Sequence, residues 1–196
     1  MTDQKPSTEQ KPMTERVPMV PEAAATGRVA ELYEQARVAT GLPFVPDVFR
    51  LASSTPNLLE VVVGGYTGVF ADSALSRGTK ELIAAWTSRL NDCGYCTVAH
   101  GWFLQQFGGS AELAAAITSS GGLADLPVDE RTQTLLRLTA KVTVGASDVD
   151  AEWADAAREW TQEQLLEAVF CAALFAFINR LVTTLGLTAP TPQPTP

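Results

Sequence analysis

From Leu165 to Leu185 the chain is mostly apolar, and the residues just before, Thr161-Gln-Glu-Gln164, carry the spacing of a capping box. A capped apolar stretch of that length predicts a long helix, and a domain that contains one is built around it. The rest of the chain agrees. Val29, Leu32, Tyr33 and Ala36 recur at helical spacing, and Gly41-Leu-Pro43 stops that pattern. Asn57 to about Phe70 and Lys80 to Leu90 read as two further helices, separated by a polar turn from Asp72 to Gly78. Asn91 or Asp92 is placed to cap a helix from Cys93 to about Phe107, which Gly108-Gly109 closes. A short helix over Ala111–Thr118 precedes the Gly121-Gly122 break. An amphipathic helix over Asp129–Val144 follows, with Leu135, Leu138 and Val142 on one side. Ser147 or Asp148 is the expected cap of a helix over Trp153. No strand alternation interrupts the series, so the fold class is all-α.

The 196 residues suffice for one well-cored domain. Residues 1–20, rich in Gln, Lys, Thr, Glu and Pro, read as a disordered arm, and the Pro-rich residues 188–196 as a disordered tail. Residues 21–187 form the expected domain. A formal net charge of −8 argues against nucleic-acid binding, which rests on neutralising phosphates with Lys and Arg. No unbroken apolar run approaches the roughly 20 residues that span a bilayer. The nearest, Ala168 to Ile178, reads as a buried helix, so no membrane partner is expected. Met1 to Pro18 lacks an apolar core of the kind a secretion signal needs. With three cysteines, too few for a disulfide scaffold, the expectation is a cytoplasmic protein.

Two of those cysteines and the single histidine stand together in Cys93-Gly-Tyr-Cys96-Thr-Val-Ala-His100. On a helix, positions i, i+3 and i+7 fall within about 60° of one another, which gives both sulfurs and the imidazole one face. A first-turn position favours a thiolate at Cys93, and His100 follows Cys96 by one turn. Cα atoms three residues apart on a helix are about 5–6 Å from one another, within disulfide range. The cluster therefore permits Cys96 to attack an electrophile such as a peroxide oxygen and Cys93 to close a disulfide on the product. Structural zinc needs four ligands, and Cys171, the third cysteine, sits in the apolar helix and reads as core. Neither a metal nor a cofactor is expected. A c-type haem site is excluded by Thr97, since it needs histidine directly after the second cysteine. Two buried cysteines and a satisfied histidine are the plainer alternative. Glu81, twelve residues before Cys93, reads by itself as a first-turn carboxylate favoured by the helix dipole. Phe44, Phe49, Tyr66, Trp86 and Trp102 are candidates to line a pocket.

The ordered set Glu81, Cys93-x-x-Cys96, His100 resembles the signature of the AhpD-like alkylhydroperoxidases, within the carboxymuconolactone decarboxylase superfamily. The resemblance extends to Val45-Pro-Asp-Val-Phe49 upstream and to Leu165-Leu-Glu-Ala-Val, Phe177-Ile-Asn-Arg180 and Leu185-Gly186 downstream, covering roughly residues 25–187. It implies an AhpD-like helical bundle in which Cys96 is the peroxidatic thiol and Cys93 the resolving thiol. His100 is then the base near Cys96, and Glu81 its partner in a proton relay. The chain departs from the family's best-known pattern at Tyr95, where a second histidine commonly stands. The resemblance further implies a hydroperoxide substrate, a dithiol or protein-thiol reductant, and a homo-oligomer, trimer or hexamer. Two other functions share these residues. One is a cofactor-independent lyase, decarboxylase or isomerase acting on a specialised metabolite, and the other a non-catalytic redox switch.

Overall fold

The computed structural model describes residues 16–119, 121–145 and 147–187. Among these, nine α-helices and two 3₁₀ turns (Glu22–Ala24 and Leu123–Asp125) account for the ordered elements, with no strand. The helices are α1 (Gly27–Thr40), α2 (Asp47–Arg50), α3 (Pro56–Phe70), α4 (Arg77–Leu90), α5 (Gly94–Gln106), α6 (Ala111–Thr118), α7 (Glu130–Gly145), α8 (Asp150–Ala156) and α9 (Gln162–Leu185). The all-α expectation holds. Residues 1–15 and 188–196, most of the expected arm and all of the expected tail, lie outside the described residues. Residues 16–20 are tied to the body. Val20 N–H donates to Ser53 Oγ at 2.8 Å, Tyr33 O–H donates to the Val20 carbonyl at 2.8 Å, and Arg16 bonds the Thr184 carbonyl.

α9 opens with the capping box read from the sequence: Thr161 Oγ1 accepts from Gln164 N–H, and the Gln164 side chain accepts from Thr161 N–H. It ends at Gly186, whose φ of 93° turns the chain into the left-handed region and returns its N–H to the Val182 carbonyl at 2.8 Å. By length and composition α9 is apolar enough to cross a bilayer, which the sequence expectation did not grant it. Its buried stripe, from Leu165 through Ala168, Ala172 and Phe175 to Val182, packs on α3, α4 and α7 as the core of the bundle. Burying a side chain such as Phe175 contributes about 1.5–3 kcal/mol.

The centre is shared, however. α4 is buried without a break from Lys80 to Ser88, enclosed by α3, α5, α6, α7 and α9, whereas α9 leaves Leu166, Phe170 and Phe177 exposed on its outer face. α4 also starts earlier than expected, because Ser76 Oγ accepts from Thr79 N–H at 3.1 Å and makes Arg77 and Gly78 helical. A Cβ on Gly78 would lie 2.6 Å from the Phe107 carbonyl oxygen, so glycine there lets the start of α4 lie against the end of α5. Buried Lys80 donates to the Ala71 carbonyl at 2.7 Å and Ser73 Oγ at 2.6 Å, and pairs with Glu167 of α9 at 3.4 Å. That contact fixes the link from α3 into α4.

A three-residue corner reverses the chain from α4 into α5. Neither Asn91 nor Asp92 caps α5. Asp92 adopts φ 53°, the Cys93 N–H returns to the Ser88 carbonyl at 2.9 Å, and Cys93 itself is the N-cap. Ser147 and Asp148 likewise do not cap α8, which starts after Val149. Asp129 does cap α7, accepting from Thr132 N–H at 2.8 Å.

Candidate active site

Glu81 lies one full turn inside α4, not in its first turn, and its carboxylate is wholly buried. A buried carboxylate needs partners on every lone pair it can use. Oε2 lies 2.6 Å from His100 Nδ1 of the antiparallel α5, and Oε1 accepts from Arg77 Nε at 2.6 Å, one turn earlier on α4. The Arg77 guanidinium also donates to the Tyr66 hydroxyl at 3.1 Å, and it lies over the Phe70 ring, 4.1 Å from its centroid. Arg77 thus sets a permanent positive charge against a carboxylate that burial alone would disfavour. Burial pushes the Tyr66 phenol well above its usual range, so it stays protonated. The His100 ring is held edge-to-face by Phe175, 4.4 Å between centroids, and stacked by Phe70 at 6.0 Å.

His100 and Cys96 line one cavity of about 30 Å³, room for a water or two, together with Thr40, Val62, Tyr66, Tyr95, Phe103 and Phe175. Phe49 and Tyr66 belong to this lining, as the sequence proposed, but Phe44, Trp86 and Trp102 do not. Trp86 is core, and Trp102 borders a separate surface hollow between α5 and α6.

The expectation that both sulfurs and the imidazole share a face holds for Cys96 and His100 only. Cys93, with the non-helical φ −90° and ψ 84° of an N-cap, departs from the α5 face and does not line the cavity. Cys96 and the Thr183 and Asn179 side chains of α9 surround its sulfur. The neighbouring Cys96 thiol is the main influence pulling Cys93 down to about 6, against burial. Cys96 moves the opposite way: the Cys93 sulfur beside it and its burial hold it well above the ordinary thiol range. Glu81 meets His100 directly at 2.6 Å, whereas Cys93, Asn179 and Ser88 surround the Cys96 sulfur. All three cysteines are free and buried. Cys171 lies apart from the pair, its thiol donating to the Lys80 carbonyl at 3.4 Å, and burial puts its ionisation out of ordinary reach. No group of three or more His, Cys, Asp or Glu among the described residues forms a metal-binding cluster.

Arg77, Ser88, Asn179 and Thr183 were not singled out from the sequence. Two of them left a signal. Arg77 stands four residues before Glu81 in a segment that Ser76 caps, and Asn179 is a polar residue in an otherwise apolar stretch, where an amide must find partners.

Residues 56–122, which run from α3 through the dithiol and His100 to α6, match the carboxymuconolactone decarboxylase family. No curated protein matches the chain significantly. Among solved structures, the fold resembles the alkylhydroperoxidase AhpD core of an uncharacterized peroxidase-related protein from Ralstonia eutropha JMP134. The TM-score is 0.78 at 23% identity, over 89% of this chain and 91% of the other. An uncharacterized peroxidase-related protein from Silicibacter sp. TM1040 superposes with TM-score 0.73 at 22% identity, over 97% and 95% of the two chains. The debrominase Bmp8 shares the fold with TM-score 0.71 at 16% identity, over 87% and 90%. The family match thus spans the dithiol segment, from α3 to α6, and the AhpD-like all-α fold is shared along nearly the whole length of the chain.

Proposed function

We propose that the protein is a thiol-dependent peroxidase that reduces hydroperoxides through a Cys93/Cys96 dithiol–disulfide cycle. The observation that carries this reading is the shared cavity: Cys96 and His100 line it together, and His100 is held from behind by Glu81 at 2.6 Å. With Nδ1 engaged by Glu81, Nε2 is the nitrogen left to exchange a proton, and the cavity has room for the water that would connect it to Cys96. His100 takes the Cys96 proton, and the Cys96 sulfur attacks the distal peroxide oxygen. The O–O bond breaks, and the departing alkoxide takes that proton from His100 and leaves as an alcohol. Cys96 is now a sulfenic acid. The Cys93 sulfur attacks the Cys96 sulfur, the S–O bond breaks, and the departing hydroxide takes up the proton that Cys93 gives up and leaves as water. Two electrons have passed from the dithiol to the peroxide, and a small dithiol or protein-thiol reductant returns them by thiol–disulfide exchange. Such a cycle needs a compartment that keeps the pair reduced, consistent with a cytoplasmic setting.

Homo-oligomerisation belongs to the same proposal. Leu58, Val61, Leu166, Phe170 and Phe177 are exposed on the outer faces of α3 and α9, an apolar surface of the kind that assembly covers. Light scattering coupled to size exclusion tests it, and a monomer at micromolar concentration removes it.

Steady-state turnover of an organic hydroperoxide with a dithiol reductant tests the cycle. Cys96→Ser is expected to abolish turnover; full activity in that variant ends the assignment. Activity that survives loss of both thiols but not of His100 or Glu81 would instead identify a lyase, decarboxylase or isomerase. Oxidation once per chain with no turnover would identify a redox switch.

A further inference from the structure

The Arg77–Glu81 ion pair has two arms, and each ends on a residue that lines the cavity of Cys96. On one arm Glu81 Oε2 lies 2.6 Å from His100 Nδ1. On the other, Arg77 Nη2 donates to the Tyr66 hydroxyl at 3.1 Å, while Arg77 Nε holds Glu81 Oε1 at 2.6 Å. Arg77 itself is fixed between rings, 4.1 Å from the Phe70 centroid and 4.7 Å from that of Phe107. The Tyr66 ring is pinned as well, by Phe49 at 5.3 Å and Phe70 at 4.5 Å between centroids. The bond from Arg77 occupies a lone pair of the phenol oxygen and leaves the O–H still to be given. Tyr66 is only 4% exposed, and among the described residues none accepts that proton. A buried hydroxyl needs an acceptor, and the space beside Tyr66 that can hold one is the cavity.

We propose that Tyr66 is a further catalytic residue, whose hydroxyl donates a hydrogen bond to the leaving oxygen of a hydroperoxide in this cavity, with Arg77 as the positioning residue that holds it there. The assignment rests on the peroxidase reading and supplies the group that meets the charge developing in it. When the Cys96 sulfur attacks the distal oxygen, the O–O bond breaks and its electron pair moves onto the proximal oxygen. The Tyr66 O–H faces that oxygen as it becomes an alkoxide, and His100 delivers to it the proton taken from Cys96. The alcohol departs, Tyr66 keeps its own proton, and no other reactant is consumed. A donor fixed before the charge appears has no reorganisation to undergo, and a small buried cavity makes its hydrogen bond stronger than one in water. Arg77 adds to this, because a cation bonded to the phenol oxygen polarises the O–H. Burial keeps the phenol protonated, as a donor must be. The benefit depends on the leaving oxygen: an alkoxide, being strongly basic, gains much from such a donor, and a carboxylate gains little.

The test compares two oxidants that differ in what leaves: tert-butyl hydroperoxide, which releases an alkoxide, and peracetic acid, which releases a carboxylate. The reduced full chain, freed of reductant, is mixed with each, and the single-turnover rate of thiol loss is followed for the wild type and for Tyr66→Phe. The variant keeps the ring and removes only the hydroxyl. It is expected to react with tert-butyl hydroperoxide about 10²-fold more slowly and with peracetic acid less than about threefold more slowly. A tyrosine that only filled space would slow both alike, so equal slowing, or none, in the folded variant overturns the assignment. If Tyr66→Phe does not fold by circular dichroism, 3-fluorotyrosine incorporated at position 66 decides instead. It keeps the hydroxyl and makes it a stronger donor, so the tert-butyl hydroperoxide rate is expected to rise about twofold relative to the peracetic acid rate. An unchanged ratio overturns the assignment. The two readings fail in different ways. A wild type that loses no thiols to either oxidant ends the peroxidase reading and the role of Tyr66 with it. A wild type that reacts with both, beside a variant slowed equally for both, ends the role of Tyr66 alone.

Discussion

The buried face of α4 carries two polar clusters, one near each end, and they solve the same problem by different means. Near the start, Glu81 is a full charge in a dry interior, matched by the Arg77 charge and the imidazole of His100. Near the end, the side chains are neutral: Asn91 donates to Asn179 and Asn179 to Ser88, beside the Cys93 and Cys96 sulfurs. A charged cluster in the interior depends on every partner, since deleting one strands the other unpaired. A neutral relay distributes the work, and each member contributes about what a single hydrogen bond does. The comparison predicts that the two ends respond very differently to mutation, although both stand beside the same α5.

Arg77→Met makes the severest break. It leaves Glu81 buried without its countercharge, so the expected loss is about 3–5 kcal/mol in urea unfolding. Adding Glu81→Gln to that variant removes the stranded charge and is expected to recover part of the loss. A double variant no more stable than Arg77→Met would mean that the pair is not what Arg77 supports.

Glu81→Gln alone separates chemistry from the thiolate. Turnover of hydroperoxide is expected to fall on the order of 10²–10⁴-fold, the usual worth of positioned proton transfer. The ionisation of Cys93 near pH 6, read as thiolate absorbance, is expected to stay in place, because it is set at the other end of the helix. A transition that moved with Glu81→Gln would merge the two clusters into one.

pH then probes the neutral end through stability. The folded-state value of Cys93, about 6, lies below its ordinary 9.0. Its contribution is therefore complete above pH 9.0 and is lost as pH falls through about 6. Cys96 has the opposite sign. Held above 9.0, its contribution is present below that pH and is lost as pH rises through its higher folded-state value. The urea midpoint of the reduced wild type is expected to climb from pH 6 to pH 9 relative to Cys93→Ser. Parallel curves for the two proteins would remove the thiolate from the folded state.

Ser88→Ala is the mildest break, costing about 1 kcal/mol of stability as one hydrogen bond of the relay is lost. A cost as large as that of Arg77→Met would erase the distinction between the ends.

How much of this was legible in the sequence divides along the same line. Spacing alone brought Cys96 and His100 to one side of α5, because four residues on a helix are neighbours whatever the tertiary structure does. Spacing misplaced Cys93, since it cannot tell an N-cap residue from a first-turn residue one position on. The membership of Glu81 depends on the register of α4 against α5, which no local pattern encodes; it came from family resemblance, and the 2.6 Å contact with His100 shows the register. Arg77 was hidden by reading Ser76-Arg-Gly-Thr79 as turn, where Ser76 is the cap of α4. Asn179 was in plain view within the apolar helix, but its partners lie on α4, α5 and the corner between them. The long helix was legible from its capping box. Its one-sided burial was not, because an apolar face turned outward reads the same as one turned in.

The central claim, a Cys93–Cys96 disulfide formed by hydroperoxide, is tested most directly by counting thiols before and after one equivalent of an organic hydroperoxide and mapping bridges by mass spectrometry. The account predicts that two of the three thiols disappear, that the bridge joins Cys93 to Cys96, and that Cys171 remains free. A bridge to Cys171, or three thiols surviving the peroxide, would contradict it.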